Sequence, residues 1–210
     1  YAGVKNIIYN TSYIRRHITG EMKYIYHKKT QTVAILCHQD NTTFMAFRGT
    51  CDKNDYAYGF EMRSQQFADI PCKVHSGAMK KLSGFVDELQ KHIVDSKEII
   101  VTGHSLGGML AIIMSMIIKS KTDKVVRCIT FNAPAVGDSA LVQKFHMVDE
   151  NYRISKFGDP ISVMNLGLKH PKNSILVFDA KAYLALFIPV LGALACIRLH
   201  SSRFDYMDHD

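Results

Sequence analysis

The residues best suited to chemistry sit in one run, Ile99-Ile100-Val101-Thr102-Gly103-His104-Ser105-Leu106-Gly107-Gly108, followed at once by Met109-Leu110-Ala111-Ile112-Ile113-Met114. A short apolar strand enters Gly-x-Ser-x-Gly and an apolar helix leaves it, the context in which this motif makes a nucleophile elbow. The turn is so tight that a Cβ at Gly103 or Gly107 would meet neighbouring backbone. Ser105 is thereby lifted off a sheet edge. The amide of Leu106, at a helix N-terminus, is placed to stabilise an oxyanion. His104, beside the serine, reads as packing.

A serine hydroxyl needs a histidine base oriented by a carboxylate, and after this kind of elbow the partners follow in chain order Ser, Asp or Glu, then His. Asp159 leads among the acids, because Phe157-Gly158-Asp159-Pro160 ends a strand with a turn and delivers a carboxylate to the elbow's edge of the sheet. Asp138, in Ala135-Val136-Gly137-Asp138, is the rival. Three histidines lie downstream of Asp159. On position along the chain they rank His170, His200 and then His209, since the base must hydrogen-bond serine and acid at once. A second oxyanion donor is expected after an earlier strand, and the backbone N–H of Thr50 in Phe47-Arg48-Gly49-Thr50 suits that place.

These groups need a scaffold that brings strand ends together. Alternating apolar patterns at Lys23–His27, Thr32–His38 and Thr43–Phe47 predict a β-meander with polar turns at Lys28-Lys29-Thr30 and Gln39-Asp40-Asn41. Helical spacing of Met79, Leu82, Phe85, Val86, Leu89 and Ile93 predicts a helix over Ser76–Val94. Apolar strands follow at Val125–Phe131, Tyr152–Phe157 and Ile175–Phe178, with a helix at Ser139–Met147. Strand and helix alternating in this way predict an α/β architecture, a largely parallel sheet covered by helices, with ligands at the carboxyl ends of the strands.

Composition sets the limits of that reading. The 210 residues are expected to form one domain, and 47% hydrophobic against 21% charged residues is a globular balance. The net charge of +7 comes from scattered basic residues with no nucleic-acid motif, which excludes nucleic-acid binding and leaves a diffuse preference for anionic membrane surfaces. The five cysteines form no Cys-x-x-Cys, so no zinc site is indicated. Cys128 reads as an inert core thiol, whereas Cys51 and Cys72 flank one loop and could bridge in an oxidising compartment. Sequons at Asn10 and Asn41 fit secretion equally with chance, and the compartment stays open.

In collinear order over about residues 20–180, the chain resembles the class 3 lipases, the fungal-type branch of the α/β-hydrolases. The matching segments are Phe47-Arg48-Gly49-Thr50, Val74-His75-Ser76-Gly77-Ala78, Val101 to Gly108, Thr130-Phe131-Asn132-Ala133-Pro134-Ala135-Val136-Gly137-Asp138 and Phe157-Gly158-Asp159-Pro160. The resemblance implies an α/β-hydrolase fold and a lipid ester hydrolase with Ser105 as nucleophile, Asp159 as acid and Thr50 and Leu106 as oxyanion donors. For the base it implies His200, in Leu199-His200-Ser201-Ser202-Arg203-Phe204-Asp205-Tyr206, because the family's base is closely followed by an aromatic; His170 resembles the family's loop histidine. No metal or organic cofactor is implied. Asn132 stands where the family usually has glycine, and Tyr56 where it commonly has tryptophan.

Two apolar segments complete the reading. Residues 51–71 carry Tyr56, Tyr58, Phe60, Met62 and Phe67 and lie where relatives have a lid. Ala182–Ile197 is uncharged over 16 residues, short of the roughly 20 needed to span a bilayer. It reads first as a buried element or acyl-groove wall and second as a membrane-dipping loop. The expected function is hydrolysis of glycerolipid acyl esters, of lipase or A-type phospholipase kind, with transient contact to a lipid surface. The competing readings are an esterase for soluble esters such as feruloyl esters, and a lipase-like module without catalysis.

Overall fold

A computed structural model describes residues 21–49, 64–67, 70–93, 95–157, 159, 167–171 and 174–177. The β-branched and aromatic alternation near the start folds into an antiparallel meander of β1 (Glu21–His27), β2 (Thr32–Gln39) and β3 (Thr42–Phe47). From β3 onward the pairing turns parallel, through β6 (Glu98–His104), β7 (Val125–Phe131), β8 (Glu150–Lys156) and β9 (Ser174–Val177). The seven strands run in the order β1-β2-β3-β6-β7-β8-β9. A separate two-stranded sheet pairs β4 (Ser64–Gln66) with β5 (Lys73–His75). Neither of these three-residue strands was expected, because a polar strand so short has no legible period.

Four α-helices lie among the described residues: α1 (Ser76–Leu82), α2 (Val86–Gln90), α3 (Leu106–Lys121) and α4 (Ser139–Lys144). The helix expected over Ser76–Val94 is thus two helices. Ser83 is extended and Gly84 has φ +74°, a left-handed conformation that halts the first helix while Phe85 keeps its place in the core. The helix expected at Ser139–Met147 ends at Lys144 and continues as a single 3-10 turn, Phe145–Met147.

The core sits between the sheet and α3. That helix has no polar face over its first three turns: Leu106 through Ile118 are all buried, with Ser115 satisfied by donating to the Ile112 carbonyl at 2.8 Å. On the sheet, Ile99, Val101, Val126, Cys128 and Met45 are buried beside it. Each such side chain withdrawn from water contributes about 1.5–3 kcal/mol, so α3 is fixed in place firmly enough to hold its N-terminus where chemistry needs it. Burial pushes the Cys128 thiol up to about 12, which makes it the inert core thiol expected. Cys72 is a buried free thiol raised to about 11, chiefly by burial; Cys51 lies outside the described residues.

Candidate active site

Strand β6 enters the elbow with its Gly103 packed against the first turn of α3. A Cβ at Gly103 would lie 2.3 Å from the Gly107 carbonyl oxygen, and one at Gly107 would lie 2.4 Å from that of Phe47. Both positions admit only hydrogen. Between them Ser105 adopts φ 53° and ψ −124°, a conformation that costs a non-glycine residue on the order of 1–3 kcal/mol. The turn is fixed by backbone hydrogen bonds. Ser105 N–H donates to the Phe131 carbonyl at 2.9 Å, and the Ser105 carbonyl accepts from Gly108 at 2.9 Å and Met109 at 3.3 Å. Leu106 is the first residue of α3, and the N–H groups of a helix's first turn have no carbonyl partner within it.

On one side of the elbow runs the chain leaving β3. A Cβ on Gly49 would sit 2.8 Å from the His104 carbonyl oxygen, so residues 47–49 lie directly against the turn that carries Ser105. Thr50 itself lies outside the described residues. On the other side is the end of β8. Strands β6 and β8 flank β7 and point the same way, so Ser105 and Asp159 both follow strand carboxyl ends at one edge, two strand spacings or roughly 10 Å apart. That separation leaves room for one imidazole between them. Asp159 is 8% exposed, and its N–H donates to the Lys156 carbonyl at 3.3 Å.

Asn132 connects the two ends. It follows Phe131, whose carbonyl holds Ser105, and has φ 45°. Its N–H donates to the Ile154 carbonyl at 2.8 Å, while its side-chain Oδ1 accepts from Lys156 N–H at 2.7 Å. Hydrogen bonds together with the Phe131–Asn132 peptide link therefore connect the backbone of Ser105 through Asn132 to Lys156 and on to Asp159. Left-handed φ explains the residue type, because asparagine is the side chain that most readily replaces glycine there. The sequence flagged Asn132 only as a departure from a glycine; the link its side chain makes was invisible without the register of β7 and β8.

The remaining candidates have other tasks or lie elsewhere. Asp138 caps α4, its Oδ1 accepting from Leu141 N–H at 2.9 Å. His170 is partly buried, and its Nε2 lies 3.3 Å from Nη2 of Arg153. A guanidinium only donates, so His170 accepts there with the ring lone pair that a general base would need for serine. The neighbouring Lys169 is stapled to Gly137, donating to its carbonyl at 2.6 Å. His75 is a buried cap whose Nδ1 accepts from Ala78 N–H at 3.2 Å. His200 and His209 lie outside the described residues, as do most of residues 51–71 and all of Ala182–Ile197.

Residues 44–167 match the sequence profile described as lipase (class 3). The chain belongs to the class 3 lipase family. Membership makes this class 3 lipase a hydrolase of lipid carboxylic esters on an α/β-hydrolase fold. Among solved structures it is similar to a triacylglycerol lipase from Penicillium expansum, with TM-score 0.67 and 19% identity over 77% of this chain and 71% of that one. It is also similar to lipase II from Rhizopus niveus, with TM-score 0.63 and 20% identity over 75% of this chain and 66% of that one. The triacylglyceride lipase of Rhizomucor miehei aligns with TM-score 0.59 and 17% identity over 78% and 68%. At these identities the likeness is one of fold. No curated protein matches the sequence of this class 3 lipase.

Proposed function

We propose that this class 3 lipase cleaves acyl esters of glycerolipids through an acyl-enzyme, as a lipase or an A-type phospholipase. Ser105 attacks the ester carbonyl while His200 takes its proton, and Asp159 orients the imidazole and stabilises its charged form. The tetrahedral oxyanion is held by the N–H groups of Thr50 and Leu106. Collapse expels the glyceride alcohol, which leaves with the proton from His200. Water then attacks the acyl-serine with His200 again as base, freeing a fatty acid and restoring the hydroxyl. The sequence of steps is complete without a metal or organic cofactor. In this reading residues 1–210 make one α/β-hydrolase domain that adsorbs transiently to a lipid surface.

The observation that carries the reading is the strained backbone of Ser105 at the N-terminus of a helix buried from Leu106 through Ile118, since a packing serine gains nothing from that conformation. The solved neighbours described as triacylglycerol lipases favour a neutral glyceride, and the +7 charge favours an anionic phospholipid surface. Labelling with a fluorophosphonate and a hydrolysis screen across triglyceride, diglyceride and phospholipid test the proposal. Ser105→Ala is expected to abolish labelling and to cost on the order of 10⁴-fold or more in turnover with the fold intact. Retention of a tenth of the activity refutes the assignment. Equal turnover of monomeric and aggregated ester instead favours a soluble-ester esterase.

A further inference from the structure

The turn between β1 and β2 lies at the same edge of the sheet as Ser105. Because β1 and β2 form an antiparallel pair and β3 runs parallel to β6, the end of β1, the start of β2 and the ends of β3 and β6 share that edge. Three strand spacings, roughly 14 Å, separate the turn from the elbow. Lys28 and Lys29 at its tip are both exposed, as is Lys80 in the last turn of α1. Next to the tip, Tyr26 is 51% exposed and Tyr24 46%.

The turn is braced from within. The buried Lys81 donates from Nζ to the Thr30 carbonyl at 2.8 Å, while its own carbonyl accepts from the hydroxyls of Thr30 at 3.0 Å and Thr32 at 2.9 Å. His27 Nδ1 lies 2.7 Å from the Thr30 hydroxyl, and Arg48 donates to the Gln31 carbonyl at 3.2 Å. Two cationic side chains thus turn inward to fix the backbone, and Lys28 and Lys29 are left to project from it. The acidic groups nearest along the adjoining α2 are Asp87 and Glu88, and Glu88 is engaged by Lys91 at 3.6 Å and His92 at 3.5 Å. The outward charge of this corner is positive.

We infer that the β1–β2 turn is a docking surface for anionic lipid, with Lys28 and Lys29 contacting headgroups and Tyr26 seated at the interface. The inference rests on the lipid-hydrolase reading and specifies which face meets the membrane. A membrane plane touching the turn also faces the elbow, so adsorption here presents lipid to Ser105. Aromatic rings with a polar tip favour that boundary, and each basic side chain adds to attraction for an anionic surface.

The test is sedimentation with vesicles of neutral lipid or of neutral lipid with phosphatidylserine, using the full chain carrying Ser105→Ala so that lipid is not consumed. Against that background, Lys28→Gln with Lys29→Gln is compared with Lys97→Gln and Lys121→Gln. The second pair removes the same charge at the opposite edge, since α3 carries the chain about 24 Å from the elbow. The turn pair is expected to weaken binding to anionic vesicles about thirtyfold at low salt, and the distal pair less than about threefold. Thermal melting of each variant checks that it is folded. Equal losses from the two pairs, or no loss from the turn pair, overturn the inference. Hydrolysis and labelling by Ser105→Ala alone test the catalytic reading separately, because vesicle binding does not need the nucleophile.

Discussion

Ser105 occupies a backbone conformation that asparagine and glycine enter more easily than serine, and the side chains around it are subordinate to that fact. The hydrogen-bond pattern at His170 bears directly on the choice of base. Its Nε2 faces the guanidinium of Arg153, itself shifted down from its ordinary value by burial, and leaving that contact to reach serine would strip a half-buried charge of an acceptor. In the proposed triad the base is His200. His200→Ala is therefore expected to match Ser105→Ala in severity, because members of one catalytic unit are not additive. His170→Ala should cost about tenfold or less. Steady-state turnover on a common ester checks the ranking, and the reverse order moves the role of base to His170. At this scale the sequence was legible where a residue's type is forced by geometry: Gly103, Gly107 and Ser105 could be read from spacing alone. The choice between His170 and His200 could not, since spacing ranks His170 first and only the family resemblance implies His200; the contact of His170 with Arg153, 17 residues away along the chain, supports the second reading.

At the scale of elements, three strands decide whether Ser105 and Asp159 meet. Strands β6, β7 and β8 were visible as apolar runs, and their parallel order followed from the helices between them. What the pattern could not reveal is how β7 grips β8 beyond the end of the ladder. That grip is the Asn132 side chain, and Asn132→Gly removes it while leaving the left-handed backbone unstrained. Lys156 N–H then loses its acceptor and the loop carrying Asp159 is set less firmly, so kcat is expected to fall about tenfold with KM little changed. A carboxylate beside an imidazole raises the histidine's pKa, and a loosened Asp159 raises it less. The acidic limb of the kcat profile is accordingly expected to move to lower pH in Asn132→Gly. Asn132→Asp keeps both the acceptor and the tolerance for positive φ and should restore kcat, while its added carboxylate moves the limb to higher rather than lower pH. A glycine variant with unchanged kcat and pH profile reduces Asn132 to a structural residue. The same contrast applies to Ser76–Val94, where regular apolar spacing hid the break at Gly84, because Phe85 and Leu89 stay in the core on either side of it.

For the whole molecule, the question is how a protein of this charge reaches an insoluble substrate. No helix among the described residues is long and apolar enough to cross a membrane. The parallel sheet gathers every strand end that carries a candidate group onto one edge, and the braced β1–β2 turn adds exposed lysines to that same edge. In the proposed docking a net charge of +7 acts twice, drawing the molecule toward an anionic surface and orienting it with the elbow facing lipid. Attraction of this kind is screened over about 10 Å at 0.1 M salt, whereas apolar insertion is not weakened by salt. Hydrolysis of phospholipid vesicles by the wild-type chain is therefore expected to be faster when anionic lipid is present, with the advantage shrinking steadily as salt rises. Release of fatty acid, measured across anionic fraction and ionic strength, checks this. If neutral and anionic vesicles are hydrolysed equally at low salt, the charge serves solubility alone, and adsorption must come from the apolar segments Tyr56–Phe60 and Ala182–Ile197.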